Sequence, residues 1–331
     1  MDYRPSQLQK FHHSYDILDS EQRKLFDDIL SGEKKPTKLT LNKKNALILD
    51  AILEYIDLKE RVAGSKTPVQ YSKIHESVLK RRSQIPVAKI IEKEIAIPYN
   101  MQPDKGVPGS RIGTYYILSP NINIQEIGLN FRPALHSINS ISLGYSKNLQ
   151  INMADTYLSF IPKTKELILK KLSLIDILSI PEVRAPLWPI SWSLWLGIEK
   201  SNRCLYLYSN KSCNKAKLKL GAGSSFSFLE DLQSYFLITG GLEKFFRPET
   251  FLNIGINLSL IYSFNNKILA HMSYTQEFRK SIYTKTLYNE KAITLNVTNS
   301  LFDNIELQSS FEILLDAKLT FVNLFVSYYF F

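Results

Sequence analysis

FLNIGINLSLIYSF, residues 251–264, and ILAHMSYTQEFR, residues 268–279, decide the fold class of this chain. In both segments apolar side chains alternate with asparagine, serine, threonine, glycine or charged side chains. A period of two is typical of a β-strand with one apolar and one polar face. Asn265-Asn266 lies between the segments, and asparagine tolerates positive φ, so the stretch predicts a long β-hairpin.

The same alternation recurs from Ser110 onward, with no convincing helix in between. The predicted strands are residues 111–119, 124–132, 149–161, 166–180, 190–200, 215–228, 234–246, 251–264, 268–279, 292–298, 304–313 and 318–331, with a further one within 282–288. About a dozen such strands form a closed barrel or a sandwich. We expect an antiparallel β-barrel of about 12 strands.

The first hundred residues have a helical period instead. Asp19-Ser20 is predicted to cap one helix, a longer helix runs from about Asn42 to Ala63, and Ser72 opens a third. Prolines and glycines cluster in residues 95–109, which predicts a domain boundary. The chain is therefore expected to be α+β, with a helical linker or domain over residues 1–100 and a barrel over 101–331.

Alternation alone does not say whether the apolar face points to a core or to lipid. Several predicted strands reach ten residues, enough to cross a bilayer when tilted. Aromatic residues gather near strand ends, namely Phe245-Phe246, Phe251, Tyr262, Phe264, Phe278 and Tyr328-Tyr329, and the final strand is rich in them. These features favour an outer-membrane barrel. The alternative is a soluble periplasmic barrel that binds a lipid or another apolar ligand.

Composition narrows the function classes. Of 331 residues, 44% are hydrophobic and 22% charged, which excludes a disordered chain. The net charge of +10 is scattered, without a zinc-finger or ribonucleoprotein motif, so no nucleic-acid partner is expected. The sequence has no apolar run long enough for a transmembrane helix. The first residues lack the features of a secretory signal, which predicts either a cytoplasmic protein or the downstream part of a longer exported one.

A series of motifs resembles a known group of proteins. The motifs are Asn130–His136 (NFRPALH), Leu167–Ile180, Ile190–Gly197 (ISWSLWLG) and Leu220–Gly223 (LGAG), followed by a terminal aromatic pair. They are similar, in this order, to the β-rich region of bacterial envelope proteins with an Lnb-type (lipoprotein N-acyltransferase-like) cysteine domain. Leu79–Ser83 resembles the leucine and arginine-serine element of the helical linker in that family.

The resemblance implies a function and a location. It implies an outer-membrane or periplasmic location, with membrane lipid and a separately encoded cysteine domain as partners. The chain departs from the family pattern at Pro108–Arg111, where members of the family often have a glycine-histidine pair before the arginine of the first strand. The matching motifs also do not include the family's cysteine domain. The chain is expected to be a non-catalytic barrel module that anchors or positions such a domain, or an inactive truncated remnant.

Few residues carry a specific chemical expectation. Arg132, His136 and Trp192 are the candidate family motif residues, and packing roles are expected for them because no nucleophile lies within motif distance. Cys204 and Cys213 flank a short segment and form a disulfide if that segment is a hairpin loop; two free thiols are the alternative. Two cysteines without a histidine pair cannot complete a zinc site, so no metal or other cofactor is expected.

Overall fold

The chain consists of two compact units, Met1–Ile97 and Pro98–Phe331. A computed structural model describes residues 7–63, 69–85, 108–122, 124–133, 136–141, 145, 148–200, 214–229, 231–245, 249–264, 267–302 and 304–330. The predicted boundary at 95–109 falls largely on residues 86–107, which lie outside the described residues, as do Asn265-Asn266.

The first unit is helical. Its helices are α1 (Gln7–Asp16), α2 (Ser20–Leu30), α3 (Lys43–Ala63) and α4 (Val69–Arg82). Phe11, Phe26 and Tyr55 pack together, and the ring centroids of Phe11 and Tyr55 lie 5.4 Å apart. None of the described helices is long and apolar enough to span a membrane.

The predicted cap of α2 is confirmed. Asp19 is the N-cap, and its Oδ1 accepts a hydrogen bond from the backbone N–H of Gln22 at 2.9 Å. The side chain of Gln22 accepts one in return from the N–H of Asp19 at 2.9 Å, which completes a capping box. The third predicted helix begins at Val69, three residues before Ser72, because the apolar spacing that indicated it does not mark the first turn.

The second unit is a closed barrel of twelve antiparallel strands. The strands are β1 (Ser110–Ser119), β2 (Ile124–Arg132), β3 (Leu149–Ile161), β4 (Glu166–Ser179), β5 (Ser191–Lys200), β6 (Asn214–Leu229), β7 (Leu232–Phe245), β8 (Thr250–Phe264), β9 (Ile268–Ser281), β10 (Leu287–Phe302), β11 (Ile305–Leu314) and β12 (Leu319–Phe330). Each strand pairs with its sequence neighbour, and β1 closes the barrel by pairing with β12. The predicted fold class, helices followed by an antiparallel barrel of about 12 strands, is confirmed.

The expected strand within residues 282–288 is wrong as a separate element. Ile282–Thr284 form the turn after β9, and β10 already begins at Leu287, five residues before the predicted start of that strand. The carbonyl oxygen of Thr286 closes this turn by accepting a hydrogen bond of 3.0 Å from the backbone N–H of Ser281. The sequence shows alternation on both sides of this turn, but the register of β9 with β10 fixes where pairing resumes.

The two ends of the barrel differ in their connections. We call the end where β1 begins and β12 ends the terminal end, and the opposite end the far end. Among the described residues, the long connections after β2 and β4 are at the terminal end. The far end carries the short turns 162–165, 282–286 and 315–318.

Candidate functional site

The outward face of the barrel is apolar around its whole circumference. Every strand presents at least one large apolar side chain that is more than a third exposed; one from each strand is Ile112, Ile127, Met153, Leu174, Trp192, Leu218, Ile238, Leu252, Met272, Leu295, Phe311 and Leu324. A water-soluble protein seldom exposes so continuous an apolar surface.

The inward face carries many buried polar side chains. Side chains at the alternate positions of the same strands are buried although they are polar or charged, among them Glu126, Lys215, Glu243, His271 and Arg279. Burial of such groups is unfavourable unless they are paired. The barrel therefore reverses the usual distribution of polar and apolar side chains between surface and interior.

An ion-pair cluster on β5, β6, β7, β9 and β10 occupies the lumen toward the far end. Glu243 is fully buried at its centre, where Lys215 Nζ lies 3.1 Å from its Oε2 and Lys217 Nζ lies 3.0 Å from its Oε1. Lys215 also lies 3.1 Å from Glu199 Oε1 on β5, and Arg279 on β9 binds Glu243 as well. The cluster crosslinks nonadjacent strands, because its long side chains reach over the strands between them.

Strand β8 lies between the crosslinked strands β7 and β9, and its residues Phe251 and Gly255 lie beside the ion pairs. Arg279 reaches Glu243 over β8, and its guanidinium carbon lies 4.9 Å from the ring centroid of Phe251. Gly255 lies opposite Glu277, and a Cβ at Gly255 would lie 2.4 Å from the carbonyl oxygen of Gln276 and 3.1 Å from Glu277 Cγ. A larger residue there would therefore push against the backbone of β9 beside the carboxylate that Lys217 and Lys219 share.

A second polar cluster lies on β1, β2, β3 and β12 toward the terminal end. Arg111 and Arg132 are buried directly opposite each other across β1 and β2. Arg132 Nη1 donates to Asn152 Oδ1 at 3.2 Å, and its guanidinium carbon lies 5.7 Å from the ring centroid of Tyr329. Asp155 is also buried here and accepts a hydrogen bond from Asn130 Nδ2 at 2.9 Å.

Residues 136–141, which we call the inward segment, cross the lumen at the terminal end. The segment begins on the β3 side, where His136 pairs with Ile151 through two backbone hydrogen bonds of 3.0 and 2.9 Å. It then contacts the facing wall: Asn139 Oδ1 lies 2.6 Å from His271 Nδ1, and the N–H of Ile141 donates to Glu306 Oε1 at 2.8 Å. It thus ties β3 to β9 and β11 through the interior.

An apolar cluster fills the lumen beside the inward segment. It consists of the buried side chains Ile138, Leu178, Ile180, Tyr235, Leu237, Ile261 and Leu269. Between this cluster and the far end, the described residues enclose cavities of about 210 and 260 Å³. The first is bounded mainly by polar side chains, among them Lys217, Glu277 and Glu312, whereas the second is lined equally by polar side chains such as Asp176 and by apolar ones such as Trp195.

The candidate motif residues do not form one site. Arg132 and His136 both lie in the interior, and Arg132 is a cause of the lowered pKa of His136, whereas Trp192 points outward from β5. Burial, and to a lesser extent the charge of Arg132, lowers the pKa of His136 to about 4. The His136 ring stacks on Tyr145 with 4.9 Å between ring centroids. Neutral and packed, His136 is arranged as a structural residue of the inward segment.

Two further chemical expectations concern cysteines and metals. Cys204 and Cys213 lie outside the described residues, so their pairing stays a prediction. No group of His, Cys, Asp and Glu among the described residues could hold a metal ion.

The aromatic residues expected at the membrane interfaces divide between the two faces. Tyr262, Phe264, Phe278 and Tyr328 are exposed on the outward face. Phe251 and Tyr329 are buried in the lumen instead, where both contact arginine side chains, so that part of the expectation is wrong. Each is next to an exposed residue in its strand, and adjacent side chains of a strand point to opposite faces.

Sequence reasoning missed most of the residues that fill the lumen. The inward segment has no period, and its contacts with His271 and Glu306 span more than a hundred residues. One signal was available for the ion-pair cluster: Lys215, Lys217 and Lys219 all fall on the polar face of one strand. Three lysines on one buried face require carboxylates on neighbouring strands.

Comparisons with known proteins found similar chains among solved structures. The structures found include an outer membrane channel from Pseudomonas putida F1, with 11% identity over 72% of this chain and 98% of that one and a TM-score of 0.42. The KdgM porin has 10% identity over 67% and 99% with a TM-score of 0.39, and OmpT, an outer membrane protein of Vibrio cholerae, has 7% over 67% and 96% with 0.34. These likenesses are too distant to indicate what this chain binds.

No curated protein matches the chain significantly. A family model does match it, and the match covers residues 100–331, which include every strand of the barrel. That range is well over half of the chain. The chain therefore belongs to the family described as Domain of unknown function (DUF7840).

Proposed function

We propose that the second unit is an outer-membrane-type β-barrel that is embedded in lipid and acts as a non-catalytic membrane anchor. The observation that carries this proposal is the continuous apolar outward face around a polar, ion-paired interior. In water this arrangement would expose the apolar face and bury the charges, which is unfavourable on both counts. In a bilayer the same outward face is solvated by lipid.

The height of the apolar face fits a bilayer. On β8 the outward row runs from Leu252 to Phe264, which is about 40 Å along the strand at roughly 3.4 Å per residue. A strand tilt of about 45° reduces this length to about 29 Å. The hydrocarbon core of a bilayer is about 30 Å thick.

The lumen supports anchoring over catalysis or free passage. The inward segment crosses the terminal end of the lumen, and the apolar cluster packs beside it. Toward the far end the charged groups neutralise one another in ion pairs. His136, the one candidate base that the sequence offered, is packed against Tyr145 and neutral at physiological pH.

The soluble alternative requires an apolar cavity for its ligand. Of the cavities that the described residues form in the lumen, one is lined mainly by charged side chains such as Lys217 and Glu277, and another by Asp176 and Asn257 together with apolar side chains such as Trp195. The buried apolar cluster next to them is filled by its own side chains. Neither of these cavities has the predominantly apolar lining of a site that binds a lipid chain.

The partner of the anchor is proposed from the resemblance. The ordered motifs between Asn130 and Gly223 support a role in which the barrel positions a separately encoded, Lnb-type cysteine domain at the outer membrane. Deleting the gene for this chain should then release the cysteine-domain protein from the membrane fraction. If the cysteine-domain protein stays in the membrane fraction, the proposed partnership is contradicted. The proposal that the barrel is embedded in lipid would still stand.

Membrane fractionation tests the central proposal. The full chain should sediment with outer membranes, resist extraction by carbonate and require detergent for solubility. On gels it should migrate faster unheated than after boiling, because a closed barrel stays folded in detergent until it is heated. A protein that remains in solution without detergent would overturn the membrane proposal.

A further inference from the structure

The far end of the barrel has a rim of exposed lysines. The lysine rim consists of Lys163, Lys165, Lys244, Lys280, Lys285 and Lys318, which lie in the short turns or at the last outward positions of β7 and β9. None of them forms an ion pair with a described residue. Only three exposed carboxylates, Glu166, Glu249 and Asp316, lie at this end among the described residues.

The opposite end of the barrel is bordered differently. At the terminal end the outward positions are aromatic: Phe131, Trp192, Phe226, Tyr262, Phe264 and Tyr328 are all exposed there. The exposed charged side chains described at this end are Arg184, Asp231 and Lys267. The positive charge is thus concentrated on one side of the apolar belt.

Three rim lysines hold an unfavourable backbone conformation. Lys165, Lys285 and Lys318 have φ angles of 57°, 57° and 53°, in the left-handed region that glycine and asparagine adopt more easily. Each belongs to a different far-end turn. Lysine occupies all three positions, although glycine or asparagine would adopt this backbone conformation at a lower cost.

The height of the rim matches a layer of lipid headgroups. Lys280 pairs with Leu252, the residue at which the outward apolar row of β8 begins, and the turn lysines lie beyond it. A lysine at this level can lay its methylene stem along the apolar wall and place its ammonium group among phosphates.

We propose that the lysine rim binds the phosphate groups of an anionic phospholipid leaflet and so fixes the barrel in the membrane at its far end. The proposal rests on the membrane insertion argued above. The ammonium group is a compact point charge that pairs with phosphate diesters, and the attraction acts only within about 10 Å at moderate ionic strength. Six such groups around one circumference suit a continuous layer of phosphates better than a single ligand.

Refolding of the full chain into two kinds of vesicle tests the proposal. One kind is phosphatidylcholine alone and the other is phosphatidylcholine mixed with phosphatidylglycerol, and the urea midpoint of unfolding is read from tryptophan fluorescence. We expect a higher midpoint in the anionic vesicles, and loss of this difference at about 0.5 M salt, where the screening length is only a few ångströms.

Matched variants test whether the rim lysines cause the higher midpoint in anionic vesicles. Changing four rim lysines to glutamine, K163Q, K244Q, K280Q and K318Q, should abolish the gain in anionic vesicles and leave the midpoint in phosphatidylcholine unchanged. The control removes the same charge from exposed lysines of the helical unit, K24Q, K35Q, K38Q and K43Q, and should keep the gain.

The outcomes separate the two proposals. Equal urea midpoints of the wild-type chain in the two kinds of vesicle would overturn the role of the rim. A control variant that loses the gain as completely as the rim variant would also overturn it. Failure to fold into either kind of vesicle overturns the membrane proposal itself.

Discussion

A lysine placed at the centre of the outward face of β8 should destabilise the barrel strongly. Leu258 lies six residues from each end of the row Leu252–Phe264, about 14 Å in height from either edge at roughly 3.4 Å per residue and a tilt of about 45°. In the proposed lipid-embedded barrel it lies at the bilayer midplane. Lysine at that depth costs about 2–4 kcal/mol, so Leu258→Lys should lower the free energy of unfolding by that amount.

Two matched substitutions separate the effect of depth in the membrane from the effect of the strand face. Leu252→Lys puts the same residue on the same face at the edge of the apolar row, level with the native Lys280, and should cost about 0–1 kcal/mol. Asn257→Lys puts it on the neighbouring residue but into the lumen, beside a cavity of about 260 Å³ that Asp176 and Glu199 also line. That change should cost less than about 1 kcal/mol, since carboxylates are at hand.

Reversible urea unfolding of the refolded chain in phosphatidylcholine vesicles measures all three values. The expected gap between Leu258→Lys and Leu252→Lys is about 2–3 kcal/mol, or roughly a factor of a hundred in the folding equilibrium. Equal and small costs at Leu258 and Leu252 would refute the reasoning, because a lysine on a water-exposed face is tolerated at any height.

Three further predictions concern the interior and the helical unit. Replacing residues 137–141 with glycine and serine removes the side-chain contact of Asn139 with His271 and the buried side chains of Ile138 and Ile141, and should raise the ion conductance of the barrel in planar bilayers above that of the wild type. Glu243→Gln leaves Lys215, Lys217 and Arg279 without their shared carboxylate and should lower the stability by about 3–5 kcal/mol in urea unfolding. Asp19→Ala removes the N-cap acceptor of α2 and should cost about 1 kcal/mol, measured by thermal unfolding followed by circular dichroism.

Each of these predictions has its own control. The segment variant must still show heat-modifiable mobility, and unchanged conductance in a folded variant would contradict the role of the inward segment as a barrier. Glu166→Gln removes an exposed carboxylate and should change stability by less than about 0.5 kcal/mol; an equal loss from both glutamate variants would argue against the buried cluster. Asp19→Asn keeps an acceptor oxygen and should be close to wild type.

Much of the barrel was predictable because alternation is a local property. The observed bounds of β2, Ile124–Arg132, and of β3, Leu149–Ile161, coincide with the predicted ones. The capping box at Asp19 is local in the same sense, since both of its hydrogen bonds join residues three apart. Turns were harder, as the misplaced strand within 282–288 shows, because pairing with the next strand decides where a strand resumes.

The lumen was not predictable in this way. The contact of Asn139 with His271 joins residues 132 apart, and Arg279 meets Glu243 across an intervening strand. Such pairs exist only after the barrel has closed, and no period in the sequence marks them. The burial of Phe251 has the same origin, since an aromatic residue near a strand end is equally compatible with either face.

The sequence by itself determined that strands such as β2, β3 and β8 have one apolar and one polar face, because the side chains of a strand alternate regardless of its neighbours. Only the tertiary structure decided which face is inside. Closure of twelve strands with β1 on β12 placed Lys217, Glu243 and Arg279 together in the interior, where they neutralise one another, and left Leu252 and Leu258 outside. The physical reason is that the charges of the polar face find their partners across strands, and those distances are set by the closed barrel.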